Sequence, residues 1–158
     1  MLVASIEYLV LRQRICFGVL LKCYHRRLYF PVNYQLEQMG MHNYRELKVW
    51  QRAMDFVLEV YRVTNMFPKD EKFGLTSQLR RCVVSIPSNI SEGAGRATNN
   101  QFRYFLEMAM GSCNEAQTQL ELSSRFNYLT KEVADKLLDE GQQIYKMILA
   151  FYNTLLIN

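Results

Sequence analysis

Residues 85–96 read SIPSNISEGAGR, and the fold turns on how Pro87 is taken. Proline has no N–H, so the carbonyl of Val83 loses its helical partner, a loss of about 3 kcal/mol in a helix interior. The apolar spacing nevertheless keeps phase across it, from Leu79 and Cys82 through Ile86 to Ile90. An unbroken helical period predicts one helix, kinked at Pro87 and not ended there.

Working outward, helix two presents Leu75, Leu79, Cys82, Val83, Ile86 and Ile90 on one face. The break GAGRATNN (93–100) follows, with Thr98 or Asn99 as N-cap of the next helix. Helix three repeats Phe102, Leu106, Ala109, Cys113, Ala116 and Leu120 at alternating spacings of four and three. NYLT (127–130) makes a further turn with Thr130 as cap, and helix four continues through Leu137, Ile144, Ile148, Phe151 and Leu155. Upstream, helix one is expected over residues 44–66, with Leu47, Trp50, Met54, Val57 and Tyr61 as its stripe, widened by Ala53 and Val60. FPKDEKFG (67–74) closes it, Pro68 ending the helix. No segment alternates with period two for the length of a strand. The prediction is an all-α domain over residues 41–158, an antiparallel up-down-up-down four-helix bundle with short connections.

Beside the apolar stripe of helix two lies an arc of Gln78, Arg81, Ser85, Ser88, Asn89, Glu92 and Arg96. A solvated arc is ordinarily rich in Lys and Glu, whereas Ser and Asn are poor in helix interiors. Small residues permit close backbone approach, and helix three offers a match in Ala109, Gly111, Ser112, Cys113 and Ala116. Ser85, Pro87, Ser88, Asn89 and Glu92 are therefore expected to pack against another helix or another protomer.

The net charge of +4 splits unevenly. Residues 1–40 carry five basic and two acidic residues, and residues 41–158 carry fourteen and thirteen, so the helical part is nearly neutral. Whole-chain charge is weak evidence for a nucleic-acid partner. Cys16, Cys23, Cys82 and Cys113 have no CxxC spacing; Cys82 and Cys113 fall on apolar faces and read as buried thiols, which suits a reducing cytoplasm.

The first forty residues are apolar but interrupted by Glu7, Arg12, Arg14 and Lys22, leaving no run near the ~20 residues a membrane span needs. The order of charge and apolar core is wrong for a signal peptide. Three readings stand: a peripheral or partner-binding helix, an extra packed helix, or an N-terminal extension that is non-native upstream translation or poorly ordered. The last is favoured because Met41 opens a segment complete without it.

Catalytic chemistry finds no constellation. His25 and His42 lie outside the bundle helices, so no His–carboxylate or Cys–His pair can be placed there. No glutamate begins the Glu-x-x-His pattern of a bundle metal site. Glu132, Asp135, Asp139 and Glu140, interleaved with Lys131 and Lys136, read as a solvated face. Gly93-Ala94-Gly95-Arg96 lacks a P-loop ending and reads as a helix C-cap. No enzyme, cofactor or metal is expected. Arg80, Arg81, Arg96 and Arg103 are read as clustering at one end of the hairpin of helices two and three. They either pair locally with Glu92 and Glu107 or form a weak polyanion patch that symmetry would multiply.

Residues 73–96 and 102–120, preceded by YRELKVWQRAMDFVLEVY (44–61), closely resemble the bacterial 23S ribosomal RNA intervening-sequence protein family. The core SIPSNISEG (85–93) is long and specific, and residues 1–40 lie outside the family pattern. A departure is Asn114-Glu115-Ala116-Gln117-Thr118, where the family more usually has Glu-Leu-Glu-Thr. The resemblance implies a homo-oligomeric ring, commonly a pentamer, without established enzymatic activity. It also implies similarity to the accessory variability protein of diversity-generating retroelements, which binds nucleic acid and a reverse transcriptase. Two functions follow as expectations: a cytoplasmic, nucleic-acid-associated scaffold binding RNA or DNA, or an adaptor that recruits a partner helix.

Overall fold

The computed structural model describes residues 42–156, which lie within one compact unit, Met39–Asn158. The expectations for residues 1–40 fall outside the described residues. Four α-helices follow one another: α1 Lys48–Thr64, α2 Leu75–Ala94, α3 Asn99–Arg125 and α4 Lys131–Thr154. Short 3-10 turns at Tyr44–Glu46 and Lys69–Lys72 precede α1 and α2. No strand occurs among the described residues.

Packing is cyclic. α2 lies against α1 and α3, and α4 against α3 and α1, while the diagonal pairs do not approach. The core is what the apolar periodicity demands in three of the four helices. All six positions of the α3 stripe are buried, as are Leu79, Cys82, Val83, Ile86 and Ile90 of α2 and Leu137, Ile144, Ile148 and Leu155 near α4. Thr98 and Thr130 cap α3 and α4, accepting from the N–H groups of Gln101 and Val133. Asn127, at φ 57°, turns the chain between them in the left-handed region that asparagine tolerates. α2 runs through Pro87 without a break, and Pro87 is itself buried.

Helix α1 turns only part of its expected face inward: Ala53 and Val60 are buried as expected, the rest of the stripe is not. Val49, Ala53, Phe56, Val60 and Thr64 are buried, whereas Met54 and Tyr61 are exposed and Leu47, Trp50 and Val57 only half-buried. The helix is apolar around more than half its circumference, so two adjacent stripes compete for the core. Phe56, absent from the expected stripe, wins the central place.

Glu140 also departs from the solvated face assigned to it. Its carboxylate takes both arms of the Arg52 guanidinium, Nε to Oε1 at 2.5 Å and an Nη to Oε2 at 2.8 Å, joining α1 to α4. This bond holds the Glu140 carboxyl below its usual range. A depressed carboxylate pKa contributes stability that is present above the unfolded value, near 4.5, and lost as pH falls through the folded one. Because both side chains are about a third or more exposed, that contribution is at most about 1 kcal/mol. Urea titrations from neutral to acid pH should show a shallower loss for Glu140→Gln than for the parent chain. Identical slopes would remove the pair from the acid response.

Candidate functional site

The arc of small residues on α2 divides between two neighbours. Ser85 faces α3, where its hydroxyl meets that of Ser112 at 2.5 Å, and Ser112 in turn donates to the Met108 carbonyl. Asn89 folds onto its own helix, donating to the Ser85 carbonyl at 2.8 Å. Ser88 points the other way; it is exposed and donates to the Val84 carbonyl. Glu92 pairs with Arg96 one turn on. Of the small residues on α3, Gly111 makes no close approach: a Cβ there would meet nothing within 4 Å.

Between α1 and α2 the surface opens into two grooves that share Val84 and Ser88. One, of about 240 Å³, is apolar. Tyr44, Trp50, Met54 and Val57 form one wall, and Val84, Pro87, Ser88 and Ser91 the other. The stripe displaced from the α1 core thus lines this groove. The second, of about 620 Å³, is cationic, with Lys72, Arg80 and Arg81 beside Thr76, Ser77, Ser85, Ser88, Tyr61 and Val84. None of its lining residues is a carboxylate.

The four arginines expected to cluster form two separate pairs. Arg80 and Arg81 sit early in α2, and Ala94 ends that helix about 21 Å further along at 1.5 Å per residue. Arg96 and Arg103 lie beyond that end, and both are engaged. Arg96 pairs with Glu92 and stacks on Phe105 at 4.6 Å. Arg103 donates to the Tyr152 hydroxyl at 2.7 Å, and that hydroxyl donates to Glu107 at 2.6 Å. The expected Arg103–Glu107 pairing therefore runs through a tyrosine of α4.

Arg80 is held by neutral groups. It donates to Thr64 Oγ1 at 2.9 Å and Asn65 Oδ1 at 2.8 Å, and its guanidinium lies 4.7 Å from the Tyr61 ring centroid. Its charge is fixed in place and not neutralised. Arg81 is exposed and has no ion-pair or hydrogen-bond partner among the described residues. Lys72, Thr76 and Ser77 were not anticipated as part of a site. The spacing of Ser77, Arg81, Val84, Ser88 and Ser91, alternating four and three, is the signal that could have revealed the seam.

Cys82 and Cys113 are buried free thiols, and desolvation pushes each up to about 12, away from thiolate chemistry. Among the described residues no group of three or more His, Cys, Asp or Glu side chains could hold a metal ion. Among them, too, no helix is long and apolar enough to cross a membrane.

Four helices packed in a ring, with a seam of grooves along α1 and α2, define an all-helical bundle domain. The chain belongs to the 23S rRNA-intervening sequence protein family, whose model matches residues 45–150. Its fold is similar to that of a protein with unknown function from the S23 ribosomal protein family of Bacteroides thetaiotaomicron. The two share 23% identity at a TM-score of 0.62, over 66% of this chain and 97% of that one. No curated protein matches the chain.

Proposed function

We propose that the chain is a non-enzymatic scaffold that assembles from several copies, as a pentameric ring, and associates with nucleic acid in the cytoplasm. In this reading the helices run up-down-up-down and antiparallel, and α2 bends at Pro87, where the missing N–H loosens the ladder. RNA or DNA is the polyanionic partner, and a reverse transcriptase or other protein is a further one. The observation that carries the reading is the seam between α1 and α2, where an apolar groove and a carboxylate-free cationic groove adjoin at Val84 and Ser88. The apolar part suits contact between copies. The cationic part suits phosphate, and symmetry would repeat it around an assembly.

The apolar groove also favours a second reading, an adaptor that seats an amphipathic helix from another protein. Ser88→Lys separates the parts of the proposal. An ammonium placed where the grooves meet is costly to bury unpaired, so light scattering should show a smaller particle than the parent chain. Unchanged mass would take the seam out of the assembly interface. Association with nucleic acid should fall steeply with added salt, with a slope of about −0.9 per duplex phosphate neutralised. Absence of binding at low salt would leave the adaptor reading in its place.

A further inference from the structure

The groove at the start of α2 has features that an ordinary basic surface lacks. Arg52, Arg62, Arg96 and Arg125 each lie against a carboxylate, but Arg80 is pinned by an amide, a hydroxyl and a ring. A guanidinium ordered by neutral partners keeps its full charge for a ligand and loses little freedom when one binds. The nearby carboxylate of Glu71 is occupied on both oxygens, accepting from the Leu75 N–H at 2.8 Å and the Tyr128 hydroxyl at 3.1 Å.

Thr76 supplies an independent observation. It lines the groove, is only 8% exposed, and its Oγ1 has no hydrogen-bond partner. A buried hydroxyl is ordinarily satisfied, commonly by the carbonyl one turn back in its own helix. Thr64 and Ser123 do this, donating to Val60 and Gln119 respectively. Thr76 is the second residue of α2, so its own helix offers no carbonyl one turn back, and its hydroxyl stays buried and without a partner beside a cationic groove.

We propose that this groove binds phosphate groups of a polynucleotide strand, with Arg80, Arg81 and Lys72 supplying charge and Thr76 and Ser77 supplying hydroxyl donors. The inference rests on the nucleic-acid reading above for the strand, and on the groove alone for the phosphate. Donors of these types match phosphate oxygens, and the groove holds no acceptor-only carboxylate that would repel them.

Fluorescence anisotropy of the full chain with a short labelled poly-dT strand at low salt, and calorimetry with inorganic pyrophosphate, test both parts. Thr76→Val keeps the shape and removes the hydroxyl; about a ten-fold loss of affinity is expected for both ligands, with an unchanged or raised Tm. Ser77→Ala stands in if that variant fails to fold. Arg81→Gln should weaken strand binding by roughly five-fold, against less than about two-fold for Arg62→Gln, which removes the same charge outside the groove. If Thr76→Val and Ser77→Ala bind like the parent, and Arg81→Gln behaves like Arg62→Gln, the groove is not the site while the nucleic-acid reading stands. If pyrophosphate binds and is lost in Thr76→Val but the strand does not bind, the phosphate site stands and the polynucleotide reading falls. Binding of neither ligand by the parent chain overturns both.

Discussion

Phe56→Ala is expected to lower the free energy of unfolding by about 4 kcal/mol, the middle of the range for a buried aromatic. Phe56 is 1% exposed. Its Cζ would lie 3.6 Å from a Cβ built on Gly141, an ordinary contact distance, so the ring reaches across to α4 at that glycine. Truncation removes the ring's dispersion contacts with the core and opens a cavity that the surrounding packing fills only in part. Met54, two residues earlier, is 38% exposed and lines the apolar groove. Met54→Ala should therefore cost less than about 1 kcal/mol in urea denaturation of the dilute chain. Equal losses in the two variants would restore Met54 to the core and reverse the face assigned to α1.

That contrast also shows where sequence legibility ends. In α3 the stripe repeats at four and three without interruption, and the exposed apolar residues Tyr104, Met108 and Leu122 fall on the far side of the helix from it, so periodicity selects the buried face. In α1, Trp50, Met54 and Val57 are as apolar as Val49, Phe56 and Val60, and only the neighbours' shape chooses between the stripes. The family was legible because residues 85–93 combine a proline, small polar residues and a glycine in a single run. The arginines were misplaced for a geometric reason. Arg80 lies early in α2 and Arg96 just past its end, so they look adjacent in outline, yet the rise along the helix carries them to opposite ends. Glu140 needed Arg52, 88 residues away in sequence, and no local pattern anticipates such a partner. Thr76 could not be singled out at all, since its significance is a missing hydrogen bond.

The glycines of the helices separate close approach from mere tolerance, and Gly93 is the decisive one. A Cβ there would stand 2.4 Å from Phe102 Cδ2 and 2.8 Å from Phe105 Cβ. Phe102 has little room to yield: it is 2% exposed, and its ring centroid lies 5.3 Å from those of both His42 and Phe151. In an open helix, glycine to alanine gains up to about 1 kcal/mol from propensity. Here overpacking, typically costing about 1–3 kcal/mol, opposes that gain, and the Cβ distances place Gly93 at the severe end. A net loss of about 2 kcal/mol is expected for Gly93→Ala, and more for Gly93→Val, whose extra methyls meet the same rings. Gly111 is the matched control on the other side of the α2–α3 pair. With nothing within 4 Å of its Cβ, Gly111→Ala should stabilise by about 0.5–1 kcal/mol. Chemical denaturation of both variants decides the matter. A neutral or stabilising Gly93→Ala would mean that α2 and α3 cross further apart than the packing of Phe102 requires. The glycine of SIPSNISEG would then have to be explained by something other than the space it leaves.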